Sequence, residues 1–399
     1  MNLKNLLVFV STVVITIIFI IVGYNLFKDF GTESSDDAEI YRAKVVSVDN
    51  IEEKENYFGN MDKIISFTAK IKSGKDSGTD ISCIQDINNM FIIQDKEIEK
   101  GDSILVSYTD MTSAGEFKWI FMGYNRTNAL IYLCSIFLLL IAIIGRKKGI
   151  KTIISLILTF LIIFLVYVPS ILSGFNVYLS TVIVGAVTIL MSLLLINGAN
   201  KKTLCAVLGN LGGVFITGAM AFFMNNAMKL TGIIDEQYIY LSYVNPDQPL
   251  NLVAIVWGGM VLGSLGAIMD VAMSIASSMH ELDEHMRKRS FTRMLRSGMN
   301  IGRDAIGTMS NTLILAYIGG SLALVLLLIA HNRNMLYLFS MEMIAVQVVQ
   351  AITGSMGILF AVPFTAVFSA YIYNKNKEKK KGKPPGSAEL PSLPKEGSE

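Results

Sequence analysis

Asp270 stands in the middle of a stretch apolar enough to lie inside a membrane, GGMVLGSLGAIMDVAMSIASS over 258–278. Steps of three or four residues from it pick out Gly259, Gly263, Gly266, Ser274 and Ser277. At about 3.6 residues per turn these positions share one helical face. Small residues on such a face let a second backbone approach closely. A charge at the centre of a membrane helix costs about 2.5–3.5 kcal/mol, so the carboxylate is expected to face protein or water and to serve a purpose. The chemistry open to it is uptake and release of a proton or another cation.

A second polar group falls in SGMNIGRDAIGTMSNTLILAYIGG. Arg303, Gly307 and Asn311 are spaced by four and lie on one stripe, with Asp304 about 100° away. Both segments approach the same basic loop at 281–297, so Asp270 and Arg303 are expected at comparable depth in adjacent antiparallel helices. A carboxylate beside a guanidinium in a low-dielectric bundle stays charged while paired and titrates when separated. The plainer alternative is a structural ion pair, Asp270–Arg303 or Arg303–Asp304, holding the bundle together. Asn210 adds a further polar group within an apolar span.

Other patterns fail on spacing. His280 and His285 flank ELDE at i, i+5, whereas zinc-protease helices need i, i+4. GRKKGIKT at 145–152 lacks both the spacing and the strand of a phosphate loop. The 21 methionines scatter over core positions and read as packing. Cys83, Cys134 and Cys205 form no CxxC and no disulfide framework. No nucleophile–base set is apparent, so no enzyme activity, cofactor or metal is expected.

The elements that must position these groups are mostly membrane helices. Of 399 residues 52% are hydrophobic and only 17% charged, with a net charge of +2, against about a quarter charged in soluble domains. Span 1 covers roughly 6–26 and reads as an uncleaved signal anchor, within a first segment of 1–27. Seven further spans fall near 128–145, 150–169, 177–197, 203–225, 251–280, 302–330 and 338–373. The last is too long for one upright helix, so Glu342 is placed in an interfacial leader and Pro363 at a kink. Basic clusters at 146–151, 201–202, 287–296 and 375–383 all fall on one side of an eight-span arrangement with both termini cytoplasmic.

Between the first two spans, residues 28–125 carry 11 Lys/Arg and 19 Asp/Glu. Alternating runs at 41–48, 64–71, 103–108 and 118–122, punctuated by Gly74, Gly78 and Gly101, predict a small extracytoplasmic β-barrel, OB-like in type. Its acidic balance and lack of an aromatic–basic ladder exclude nucleic acid. Spans 2–4 occupy 126–200, a compact core of spans 5–8 occupies 201–374, and a basic, then Pro/Ser-rich tail over 375–399 is expected to be disordered.

The segments GAIMDVAMSIASSMHEL (266–282) and MNIGRDAIGTMSNTLILAYIGG (299–320) resemble the signature of the YibE/F-like family of bacterial membrane proteins. The resemblance implies a multispan, permease-like protein of the bacterial cytoplasmic membrane. A more distant likeness joins 201–374 to the transmembrane half of SecF-type subunits of the SecD/SecF motor, members of the RND superfamily. KKTLCAVLGNLG at 201–212 stands at their basic turn, Asp270 at their intramembrane aspartate and Arg303 at the arginine of the next helix. That likeness implies proton passage through Asp270 and Arg303, and a second copy or second membrane subunit to complete the unit.

The expected function is therefore a proton- or ion-coupled transporter or export-motor-like permease. Asp270 titrates, Arg303 and Asp304 set its electrostatics, and Asn311, Ser274, Ser277 and Asn210 support it. Gly259, Gly263, Gly266 and Gly307 pack the helices. The alternative is a non-transporting scaffold in the lipid bilayer whose extracytoplasmic domain binds an envelope partner.

Overall fold

A computed structural model describes residues 3–27, 39–55, 61–74, 76–87, 96–108, 119–244, 249–285, 290–330 and 334–381. Of the tail over 375–399 expected to be disordered, residues 375–381 are helical and 382–399 lie outside the described residues. The chain divides into two compact units, 31–143 and the remainder.

The smaller unit holds five strands, β1 (Ile40–Glu55), β2 (Met61–Ile71), β3 (Asp80–Ile87), β4 (Ser103–Tyr108) and β5 (Trp119–Tyr124). They close a barrel in the order β1-β2-β3-β5-β4. All pairs are antiparallel except β3 with β5. Closure is possible because β1 is long enough to pair with both β2 and β4, and irregularities at 45–47 and 48–50 bend it between them. The period-two pattern of β2 sends Ile65, Phe67, Ala69 and Ile71 inward, to meet Ala43, Val45, Ile104 and Val106. β3 is absent from the expected strands because Gln85 interrupts its apolar alternation. Gln85 is nonetheless buried, and its amide is satisfied: Nε2 donates to Lys96 O at 3.0 Å and Oε1 accepts from Ile98 N at 3.1 Å.

The larger unit is helical: α1 (Leu3–Phe27), α2 (Thr127–Ile162), a π-turn (Ile163–Tyr167), α3 (Val168–Leu172), α4 (Val177–Asn197), α5 (Lys201–Ala227), α6 (Glu236–Tyr243), α7 (Leu252–His285), α8 (Phe291–Gly320), α9 (Leu322–Ala330), α10 (Met335–Ser340) and α11 (Glu342–Lys381). The first half of α2 belongs to the smaller unit by contact. Among the described residues, six helical stretches are long and apolar enough to cross a membrane: Asn5–Phe27, Thr127–Leu172, Val177–Asn197, Lys201–Ala227, Leu252–His285 and Glu342–Asn374.

The spans expected at 128–145 and 150–169 fall on either side of a kink at Arg146 (φ 48°, ψ −130°), which divides the apolar stretch Thr127–Leu172 into two helices. The stretch expected at 302–330 is broken at Ser321: α8 carries Arg303, Asp304 and Asn311, which lower its hydropathy, and the strongly apolar α9 has only nine residues, so neither piece alone is a membrane-length apolar helix. The last span is a single helix with Pro363 inside it. Glu342 begins that helix itself, in its first turn, where Oε1 accepts from Gly232 N at 2.6 Å and Oε2 from Thr231 Oγ1 at 2.9 Å.

The core of this unit is an antiparallel seam between α5 and α11. Along α5, Cys205, Gly209, Gly213 and Thr217 recur every fourth residue and are buried. Along α11, Thr353, Gly357, Ala361, Thr365 and Ser369 do the same. The rows interlock. A Cβ added to Gly209 would lie 2.9 Å from the Thr365 Cα, and one added to Gly213 would lie 2.8 Å from the Gly357 carbonyl. Thr217 Oγ1 donates to the Thr353 carbonyl at 3.3 Å across the joint. Lipid gives apolar side chains no reason to leave it, so backbone proximity of this kind is what holds membrane helices together. α7 packs on this pair through Ile268, Val271, Ile275 and Met279, and α8 joins through Met294, Gly298 and Gly302.

Candidate functional site

α7 presents two unlike faces. One, including Ser264, Ile268, Val271, Ala272, Ile275, Ala276 and Met279, is buried. The other is the small-residue stripe, and the chain leaves it largely uncovered. Gly259, Gly263, Gly266, Asp270 and Ser274 are exposed, and Ser277 is half-buried. A Cβ added at Gly259 or Gly266 would meet nothing within 4 Å. At Gly263 it would meet Tyr317 Oη at 3.1 Å and Gln350 Nε2 at 3.3 Å, which marks where α8 and α11 border the stripe. Of the glycines expected to pack helices, Gly259 and Gly266 are therefore open among the described residues, while Gly263 is bordered by α8 and α11.

Asp270 makes no hydrogen bond or ion pair among the described residues. Ion pairs form elsewhere, between Lys63 and both Glu53 and Glu97, between Lys70 and Asp80, and between His280 and Glu284. The expected contact with Arg303 is not formed. α7 and α8 do run antiparallel as neighbours, with Met279 against Gly298 at one end and Gly263 near Tyr317 at the other. Arg303, however, reaches back toward the start of its own helix, as helical side chains tend to do. Its Nη1 donates a long 3.5 Å bond to Asn300 Oδ1. The guanidinium is thereby drawn toward the end of α8 that follows the basic loop, away from the middle of the span.

Asp304, Gly307 and Asn311 are exposed on α8 together with Arg303, and nothing lies within 4 Å of a Cβ at Gly307. The side of α8 bearing Arg296, Asn300, Arg303, Gly307 and Asn311 is therefore polar and free, while the side bearing Met294, Gly298 and Gly302 is buried. Asn210 lies apart from these groups in burial. It is fully enclosed, and neither amide atom has a hydrogen-bond partner. A buried amide left unpaired costs about 1–3 kcal/mol, so this position asks for water or a rearrangement.

Sequence reasoning overlooked a polar contact at the end of α7. The His280 ring stacks on Tyr373 at 5.8 Å between centroids and 19° between planes, and Nε2 lies 3.6 Å from Glu284 Oε1. The signal available was the i, i+4 pair His280–Glu284, hidden by attention to His285.

With the geometry described, comparison with known families is decisive on kinship. The description of YibE/F-like proteins matches residues 133–375, more than half of the chain. The chain belongs to the YibE/F-like family. In this YibE/F-like protein the match takes in both the stripe of α7 and the polar face of α8, and leaves the barrel outside. Curated proteins and solved structures give no match. Family and helices together make it a membrane protein.

Proposed function

We propose that this protein is a proton- or ion-coupled transporter in which Asp270 is the titrating group. The observation that carries the reading is an unpaired carboxylate in mid-span, on a face of small residues left open by its own chain. A carboxylate so placed is stable against water or another protein surface and costly against lipid. The open polar face of α8, with Arg303, Asp304 and Asn311, supplies a second polar wall beside it. Arg303 acts on Asp270 in a state in which its side chain swings away from Asn300. The likeness to SecF-type subunits supports that pairing, since it aligns both residues with groups implicated in proton passage. No covalent catalysis is assigned.

In this reading the two halves of Thr127–Leu172 either side of Arg146 are separate spans, and α8 with α9 is the polar eighth. Both termini are then cytoplasmic and the barrel, whose strand order is that of OB-like folds, is extracytoplasmic. Moving one charge across the membrane is worth about 2.3 kcal/mol per 100 mV, enough to bias a conformational cycle.

The test is proton flux into proteoliposomes under an imposed pH gradient. Asp270→Asn is expected to abolish it and Arg303→Met to reduce it. Wild-type flux in both variants overturns the reading. A scaffold reading has one observation in its favour: Trp119 is flanked edge-on by Tyr41 and Tyr108 at 5.3 and 5.4 Å, and Tyr108 is exposed on the barrel. It predicts that deleting 38–122 abolishes function while Asp270→Asn is harmless.

A further inference from the structure

The first four turns of α8 carry a recess of about 400 Å³ lined by Thr292, Leu295, Arg296, Met299, Asn300 and Arg303. It combines two chemistries. Arg296 and Arg303 are exposed and enter no ion pair among the described residues. Leu295 and Met299 are half-buried between them. The two arginines are seven residues apart, about 10 Å along the axis, but the gap is narrowed on one side. Arg303 reaches back one turn to Asn300, so its charge is displaced toward Arg296.

We propose that this recess binds the headgroup of an anionic phospholipid, with Arg296 and Arg303 on the phosphate and Leu295 and Met299 against the first carbons of an acyl chain. Three features select this occupant. Guanidinium forks match phosphate oxygens in two-point hydrogen bonding, and among the described residues no carboxylate is paired with them. The apolar pair between the cations suits an amphiphile, whereas free phosphate would leave it unused. The recess lies at the start of a helix packed against α7 and α11, both of membrane-spanning length, where headgroups and the tops of acyl chains are found. The same contact gives Arg303 a reason to turn away from Asp270 in this conformation. The inference concerns lipid binding and stands or falls apart from transport.

The experiment is native mass spectrometry of the full chain titrated with phosphatidylglycerol or phosphatidylcholine of identical acyl chains. Wild type is expected to prefer phosphatidylglycerol about tenfold or more, at roughly a fivefold gain per arginine near the headgroups. Arg296→Gln is expected to lose about fivefold and Arg296→Gln/Arg303→Gln nearly all of the preference. Size-exclusion profile and Tm identify variants that remain folded, and Arg296→Lys retains part of the preference as a fold-neutral control. Three results overturn the proposal: a double variant that is folded and keeps the full preference, an equal loss in Lys147→Gln/Lys148→Gln of α2, or displacement of the lipid by millimolar inorganic phosphate.

Discussion

Two rows of small residues in this protein meet opposite fates. Cys205, Gly209, Gly213 and Thr217 of α5 are closed against Thr353, Gly357, Ala361, Thr365 and Ser369 of α11. Gly259, Gly263, Gly266, Asp270 and Ser274 of α7 have a similar spacing and composition, yet they are exposed. Composition alone does not separate them. What separates them is a complementary row: α11 repeats its small residues every four positions in register with α5, and with that row engaged there, neither α8 nor α11 closes on the α7 stripe at Gly259 or Gly266. Glycine stripes pack when both partners have them. One without a counterpart in its own chain, carrying a carboxylate, is a surface kept for water or for a moving neighbour.

The strongest way to break this contrast is to widen the closed row. Gly209→Val places branched carbons where a Cβ alone would lie 2.8 Å from Thr365 Cβ and 2.9 Å from its Cα, and backbone there cannot yield. Overpacking costs about 1–3 kcal/mol, more where backbone must move. The expected outcome is a variant with sharply reduced folded yield and Tm in detergent. A Gly209→Val protein as stable as wild type would mean that the seam is not the structural joint.

The converse substitutions on the open row sharpen the contrast. Gly259→Ala and Gly266→Ala each meet empty space. A helical Gly→Ala exchange then stabilises by about 0.5–1 kcal/mol through backbone entropy. Thermal unfolding should show a small rise in Tm for each. Asp270→Asn should move Tm little, because no partner is lost, while its effect on proton flux is large. A destabilisation comparable to that of Gly209→Val would show that the α7 face is packed after all.

The sequence revealed some of this and concealed the rest for physical reasons. Hydropathy located the membrane helices because a span needs a long apolar run. The run at 302–330 was legible as apolar; that it breaks at Ser321 into α8 and α9 was not. The barrel was legible through its alternating strands, except β3, where a satisfied Gln85 stands at an inward position. The α7 stripe was legible as a face; that it faces outward was not, since spacing carries no information about which neighbour arrives. Asp270 and Arg303 were rightly placed on adjacent helices, but side-chain direction decides contact, and Arg303 points to Asn300. The period-four row of α5 was visible in KKTLCAVLGNLGGVFIT from the start, yet it acquires meaning only beside the matching row about 150 residues later.

The thiols offer the mildest test, because it alters no residue. Cys205 is fully buried in the closed seam beside Ser369, Cys83 is fully buried in the barrel, and Cys134 is exposed. Burial pushes the Cys83 thiol from 9.0 up to about 12, so it stays protonated and unreactive at pH 8. Its folded value lies above its unfolded one, so the barrel's stability is undisturbed below about pH 9 and falls as pH rises from there toward 12. With maleimide in detergent at pH 8, one label per chain is expected, at Cys134, with the other two appearing only on unfolding. Prompt labelling of Cys205 in the native protein would show that α5 and α11 part readily, and the distinction between a shut row and an open one would then be a matter of degree.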